Sequence, residues 1–239
     1  MKSKRSLCYA LLIGLFFPPN AFAMGLRSFV ALPVEKSGSV IRATAEHNAD
    51  TEANLLTLSA AYGINHRQTL LFKMPYRLSS SNRNRTGDVS ALYRQIARQS
   101  DTEHGTDRLG LLGGVVIPTD SKQDEAVQMG AVFTHYRGRN EIDIDVLYQQ
   151  GLGNRNDTAR YDLSWQRRIK PSTYPDWGIP HEWHVVTELG GRWSEGQSTV
   201  HQLTLGIQHV IKRWVFEGGV IKDLNEPRHT RLLVSVRFH

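Results

Sequence analysis

The chain has 239 residues, of which 40% are hydrophobic, and a formal net charge of +6. Lys2, Lys4 and Arg5 lie in a segment that we expect to be cleaved, which lowers the charge from +6 to +3 and gives no reason to expect nucleic acid as a partner. Cleavage after residue 23 leaves 216 residues, enough for one domain.

The first 23 residues have the three parts of a secretory signal peptide. The start is basic, residues 7–17 are apolar, and residues 21–23 read Ala-Phe-Ala, a small-residue cleavage site. The apolar run is shorter than the roughly 20 residues of a transmembrane helix. Cys8, the only cysteine, lies in this segment, so the exported chain can form neither disulfides nor cysteine-ligated metal sites. The segment predicts export from a Gram-negative cell.

The remaining chain divides into a short lead and one long domain rich in strands. Residues 24–39 are predicted to be a periplasmic N-terminal lead, with a partial plug as the alternative, and residues 40–239 form the domain. Alternating apolar and polar residues, separated by turn-forming clusters, predict about twelve strands. Their rough spans are 40–48, 53–63, 66–78, 87–98, 107–117, 125–136, 139–149, 158–169, 181–193, 199–209, 212–221 and 229–238.

The last strand shows the alternation well, and an aromatic residue stands one place from the C-terminus. Its apolar face carries Leu232, Val234, Val236 and Phe238, and its polar face carries Arg231, Ser235 and Arg237. A strand of this kind suits a wall between lipid and a wet lumen. A soluble antiparallel sheet can show the same period, so alternation by itself does not identify a membrane protein.

Two further patterns favour a membrane barrel. Aromatic residues fall near strand ends on the apolar face, as interfacial girdles require; they are Tyr76, Tyr136, Tyr148, Tyr161, Trp183, Trp193, Trp214 and Phe238. Short and longer links also alternate, except that the links at 99–106 and 170–180 are longer than the rhythm predicts. The predicted fold class is therefore all-β: a single transmembrane antiparallel β-barrel of about 12 strands, of the outer-membrane type.

Several segments resemble the outer-membrane transporter family labelled "MetA-pathway of phenol degradation". The segments are 61–67 (AYGINHR), 72–76 (FKMPY), 87–89 (GDV), 113–120 (GGVVIPTD) and 205–208 (LGIQ). The resemblance covers most of residues 52–238, although a glycine of the family pattern is missing at Pro118-Thr119-Asp120. It implies a porin-like outer-membrane channel or transporter for small solutes, small aromatic or hydrophobic compounds among them.

Charged and polar residues on the inward faces are the candidate functional residues. The predicted lumen-lining set is Lys73, Arg77, Arg94, Glu141, Asp143, Asp145, Arg160, Asp162, Arg168, Glu182, His184, Glu188, Arg192, Glu217 and Arg237. These residues could form a polar lumen that selects solutes, or a salt-bridged interior that fills a closed barrel. In the first case the acidic row at 141, 143 and 145 is expected to form the negative side of a field at the constriction.

Two other classes of protein remain as alternatives to a channel. A closed barrel could act through binding by its outer loops, and a lipid-modifying enzyme would need a nucleophile and a base, for which Ser164, Ser235 and His201 are available. A metal site at His184 with Glu182 and Glu188 has acceptable geometry on one strand face, but such residues are more often hydrogen-bonded polar groups. We therefore expect no enzyme activity, no metal and no cofactor. The expected partners are membrane lipids, the barrel-assembly machinery acting on the C-terminal strand, and a small-molecule solute.

Overall fold

A single closed barrel contains all the strands of the structure, a computed structural model that describes residues 25–79, 85–173 and 181–239. Within these ranges each strand pairs antiparallel with its sequence neighbours, and the first pairs with the last. The twelve strands are β1 Ser39–Asn48, β2 Asn54–Asn65, β3 Gln68–Arg77, β4 Val89–Thr102, β5 Gly105–Ile117, β6 Ala126–Arg137, β7 Asn140–Gly151, β8 Thr158–Lys170, β9 His181–Ser194, β10 Val200–Ile211, β11 Trp214–Asp223 and β12 Thr230–Phe238. The predicted fold class is confirmed, whereas the predicted signal peptide lies outside the described residues.

The strand faces follow the period-2 alternation of the sequence. In β12, Val234 is 62% exposed on the outer face, whereas its neighbour Ser235 is 2% exposed on the inner face. An apolar outer wall and a polar inner face result, as a barrel in lipid requires. Among the described residues, no helix combines the length and the hydropathy of a transmembrane helix.

The links differ in length at the two ends of the barrel. At the short-link end, two-residue links join β2 to β3, β4 to β5, β6 to β7 and β10 to β11. The prediction of a longer link at 99–106 was wrong. β4 continues to Thr102 and β5 begins at Gly105, because the polar residues before the turn extend the ladder, with Asp101 opposite Thr106. The link after Lys170 includes residues outside the described ranges.

Aromatic side chains lie on the outer face near both ends of the barrel. At the short-link end, the rings of Trp214 and Phe238 lie 4.8 Å apart between centroids. At the opposite, long-link end, Tyr148 is 37% exposed near the end of β7, and its hydroxyl donates a hydrogen bond to Asp157 in the following link. This placement is the one that aromatic girdles at the two membrane interfaces require.

The N-terminal segment runs inside the barrel. We call residues 25–34 the plug; they lie between the middle of the lumen and the short-link end of the barrel. At the short-link end, shortly after the plug, the Ser37 amide donates to the Gly63 carbonyl at 2.7 Å. Val30 and Ala31 are fully buried and Leu26 is 2% exposed. Of the two placements left open by the sequence, the plug describes these residues, and a lead outside the barrel does not. Burial inside the barrel is favourable for this segment, because it removes the apolar side chains from water.

Apolar patches on the inner wall receive the plug. One cluster packs around Ala31 and contains Leu92, Ile96, Leu112, Val132 and Leu147. A second cluster packs Leu26 against Val186, Ile221 and Leu233. Gly206 makes room for this contact, since a Cβ there would lie 2.5 Å from the Leu26 Cδ1 atom. The plug is therefore seated by shape as well as by polarity.

Candidate functional site: the plug and the two cavities beside it

Carboxylates of the wall accept hydrogen bonds from the plug backbone. The Arg27 amide donates to both oxygens of Glu188 at 3.1 Å, and the Ser28 hydroxyl donates to the same carboxylate at 3.1 Å. The Phe29 amide donates to Asp145 Oδ2 at 2.7 Å. Charged acceptors make such bonds stronger than neutral ones. The wall therefore supplies side-chain partners for amides that a neighbouring strand would otherwise satisfy.

The Ala31 amide of the plug is held through two successive hydrogen bonds. The Ala31 amide donates to Thr134 Oγ1 at 2.8 Å, and the same hydroxyl donates to Asp143 Oδ1 at 2.5 Å. Because a hydroxyl has one proton, the carboxylate fixes the Thr134 proton away from the plug and leaves a lone pair for Ala31. Asp143, which is fully buried, thus supports the plug indirectly through Thr134.

Two arginines hold the plug carbonyls from the other side. Arg94 is 1% exposed and donates to the Val30 carbonyl and, at 2.7 Å, to the Leu32 carbonyl. Arg42 donates to the Leu26 carbonyl. Carboxylates thus face the plug amides and guanidinium groups face its carbonyls, so that the barrel binds an extended chain in one direction and one register.

Other predicted lumen residues form ion pairs, both within one strand and between strands. Asp162 accepts from Arg160 at 2.8 Å and from Arg192 at 2.6 Å. Glu217 lies 3.2 Å from Arg237 and 2.6 Å from Arg42. These pairs provide counter-charges for Asp162 and Glu217, which would be costly to bury unpaired.

Six predicted residues lie apart from the plug contacts. Glu182 pairs with His184 at 2.8 Å near the short-link end of β9. Glu141 and Arg168 are 4% and 5% exposed in the same half of the barrel. Arg77 is exposed at the long-link end of β3, and Lys73 is exposed to the lumen four residues before it.

The larger cavity lies on the long-link side of the plug. It has a volume of about 460 Å³, and its walls come from the plug, β1–β4 and β6–β9, with one residue from β12. A second cavity of about 340 Å³ lies on the short-link side, where Arg94, Arg213 and His239 are among its lining residues. We call them the long-link cavity and the short-link cavity.

The two cavities approach each other along one wall of the barrel. Val40, Ala61 and Leu71, on β1, β2 and β3, line both of them. The plug is hydrogen-bonded to Asp145 and Glu188 on one flank. The three apolar residues that the cavities share lie along its other flank, toward β1–β3.

The acidic row occupies a different place from the one expected of a constriction. Asp143 and Asp145 are fully buried and Glu141 is 4% exposed, and none of the three lines either cavity. Asp145 binds the plug directly and Asp143 binds it through Thr134. The structure therefore assigns these two carboxylates to plug attachment rather than to a surface that a solute meets.

Replacement of the two aspartates gives a prediction for this assignment. Asp143→Asn with Asp145→Asn should lower the thermal stability of the folded barrel and leave its cation-to-anion selectivity unchanged, because buried carboxylates that bind the plug are replaced by weaker acceptors. Heat-modifiable gel migration and the reversal potential in a salt gradient measure the two effects. A selectivity shift with unchanged stability would return the row to the solute path.

Sequence reasoning overlooked Thr134 and Arg27, which are central to the plug. A usable signal was present in β5, where residues 109–117 are apolar on both faces. A wall with lipid outside and water inside has no need of inward residues such as Leu112 and Val116. Their presence indicates that another part of the chain covers the inner face.

The residues named for catalysis or metal binding are differently engaged. Ser164 Oγ is buried without a hydrogen-bond partner, Ser235 bonds Arg42, and His201 bonds the Tyr161 hydroxyl at 2.7 Å, so no serine–histidine pair forms among these candidates. In the described part of the chain, no group of three or more histidine, cysteine or acidic residues has metal-binding geometry.

A closed antiparallel barrel with an apolar outer face, two aromatic girdles and a charged interior has the fold of the outer-membrane β-barrels. No protein-family model matches the sequence, and no curated protein matches it. Among solved structures, the COG4313 outer membrane channel from Pseudomonas putida F1 is similar, with 14% identity, a TM-score of 0.57 and coverage of 89% of this chain and 98% of that chain. The KdgM porin is also similar, with 10% identity, a TM-score of 0.53 and coverage of 84% and 98%. Both similarities concern the fold.

Proposed function

We propose that the protein is an outer-membrane channel for the passive passage of small solutes, with the plug as its constriction. The observation that carries the proposal is the pair of cavities on opposite sides of the plug, which share Val40, Ala61 and Leu71 as lining residues. The long-link end would face the outside of the cell and the short-link end the periplasm, as in other bacterial barrels. Two lumen spaces separated by one thin segment fit a gated or narrow path better than a solid scaffold.

The solved structures with the same fold support this class of function. The P. putida protein is named as a channel and KdgM as a porin, and one KdgM structure holds a disordered oligogalacturonate. Small aromatic compounds are suitable solutes for this chain, because Phe29 and Leu71 are among the apolar residues that line the long-link cavity. The size of the long-link cavity, about 460 Å³, is within the range of roughly 300–1,000 Å³ that small-molecule sites occupy.

A closed barrel that binds through its outer loops is the second candidate, and one observation favours it. Loops at the long-link end are tied to each other, since Arg155 pairs with Asp88 at 2.5 Å and Asp124 accepts from the Asn154 amide at 2.8 Å. Such ties could present a fixed surface outside the cell. In either case we propose a non-enzymatic protein whose C-terminal strand is its contact with the barrel-assembly machinery.

Electrical recording on the purified barrel separates the two candidates. In planar bilayers the protein should give small, voltage-tolerant conductance steps, and liposomes that contain it should swell in small uncharged solutes but not in large ones. The structure leaves a narrow flank beside the plug, so we expect steps below those of an open sixteen-stranded porin. Absence of both conductance and swelling from the full chain, with folding shown by heat-modifiable migration, would favour the loop-binding scaffold.

A further inference from the structure

We infer that the long-link cavity is a binding site for small organic anions, carboxylates in particular. The inference deepens the proposed function, since it names the solute class of the same lumen, but binding can be measured whether or not a solute crosses. The cavity is defined by three features: the cationic groups on its surface, the burial of their acidic partners, and an apolar floor.

The charged side chains of the cavity wall are mainly cationic. Within the described part of the chain they are Arg27, Arg42, Lys73, Arg160, Arg192 and Arg237, against one acidic lining residue, Glu46. Glu46 lies 4.0 Å from Arg27, at the limit of an ion pair. A solute in this cavity therefore meets a positive surface.

The acidic partners of four of these arginines are buried and do not line the cavity. Asp145, Asp162 and Glu217 are 3% exposed or less, and none of them lines the cavity. Four of the five lining arginines, Arg42, Arg160, Arg192 and Arg237, are thus paired with carboxylates that do not themselves line the cavity. Arg160 is further fixed by the Phe29 ring, whose centroid lies 4.3 Å from the guanidinium carbon. Planar donors fixed in this way suit the bidentate binding of a carboxylate.

Lys73 differs from the arginines because it has no acidic partner in the described residues. Its side chain projects from β3 into the same cavity, and no hydrogen bond or ion pair to the described residues holds its ammonium. An ammonium surrounded by guanidinium groups in a partly closed space favours an anion as its counter-ion. We assign Lys73 as the cation that a bound carboxylate would neutralise.

Apolar residues of the cavity wall favour an apolar body for the uncharged part of the ligand. Phe29 of the plug and Leu71, Leu92 and Leu147 of the wall line its deeper part. An anion with a small apolar body can therefore place its charge on Lys73 and its body on the plug. Benzoate has this form, and benzamide is its matched neutral control with nearly the same shape.

Calorimetric titration of the full barrel in detergent tests the inference. Benzoate should bind and benzamide should bind at least about tenfold more weakly. Lys73→Gln should weaken benzoate about tenfold, equivalent to about 1.4 kcal/mol, and leave benzamide unchanged. Arg77→Gln is the matched control: it removes a positive charge four residues further along the same strand face, outside both cavities. It should bind benzoate as the wild type does.

Two results would overturn the inference. One is equal affinity for benzoate and benzamide, and the other is an equal effect of Lys73→Gln and Arg77→Gln, which would reduce the site to general surface charge. Bilayer recordings separate this failure from failure of the channel. Benzoate binding without conductance supports the site and contradicts passage. Conductance without benzoate binding, together with no preference for anions in the reversal potential, overturns the site and leaves the channel intact.

Discussion

Removal of the plug should raise the single-channel conductance of the barrel several-fold. Deletion of residues 25–34 joins the long-link and short-link cavities, about 460 and 340 Å³, into one continuous lumen. The wall remains closed, because no strand-to-strand hydrogen bond involves the deleted residues. Planar bilayer recording measures the effect, and swelling assays should show that larger solutes now enter.

A second variant guards against a deletion that fails to assemble. Glu188→Ala with Asp145→Ala keeps the whole chain and removes the acceptors of the Arg27, Ser28 and Phe29 amides. Hydrogen bonds to charged groups contribute roughly 1.5–3 kcal/mol each, so the plug should leave its seat for part of the time and the current should flicker between two levels. The control replaces two exposed loop carboxylates, Glu52 and Glu226, with alanine. Unchanged conductance in both the deletion and the double variant would show that the plug does not restrict passage.

An arginine on the lipid face of the last strand should severely impair assembly of the barrel. Val234 is 62% exposed at the middle of β12, between Arg231 near one end and the aromatic girdle at Phe238. A charge at the membrane midplane on this face costs about 2–4 kcal/mol. Val234→Arg should therefore lower the folded fraction in lipid vesicles, as heat-modifiable migration and urea unfolding would report.

The matched control for this substitution must face water inside the barrel. Thr57 lines the long-link cavity opposite the uncharged residues Thr44 and Pro75, so an arginine there can keep its head solvated. Thr57→Arg should therefore fold nearly as the wild type does. The sequence neighbour Ser235 is unsuitable. It faces inward but is 2% exposed, and its hydroxyl accepts from Arg42 at 2.8 Å, so an added arginine would overpack the site and repel Arg42. Equal folding of Val234→Arg and Thr57→Arg would contradict a lipid-facing outer wall.

Plug attachment and the proposed anion site use different members of one charged interior. The carboxylates that hold the plug amides are Glu188 and Asp145, whereas Lys73 lines the long-link cavity and makes none of these bonds. Arg160 joins the two sets, since it lines the cavity, approaches Asp145 at 3.4 Å and stacks on Phe29. A bound anion that draws Arg160 away from Asp145 would therefore weaken attachment of the plug. Substitution of Arg160 can test this connection between anion binding and plug attachment.

The sequence by itself determined the strands and their faces. A strand has a period of two, so an alternation such as that of residues 230–238 fixes which side chains share a face without reference to any other part of the chain. The aromatic residues near strand ends are equally local, and the inward orientation of charges such as Asp143 and Glu188 followed from the same period.

Only the tertiary structure decided what these inward residues contact. The Arg27 amide and Glu188 are separated by 161 positions, and Ala31 and Thr134 by 103. No local pattern relates such pairs, because their proximity depends on barrel closure by β1 and β12 and on the path of residues 25–34 through the interior. The sequence could therefore place a charge on the inner face, but whether that charge binds the plug, pairs with a neighbour or meets a solute depends on contacts that form only when the closed wall surrounds the segment.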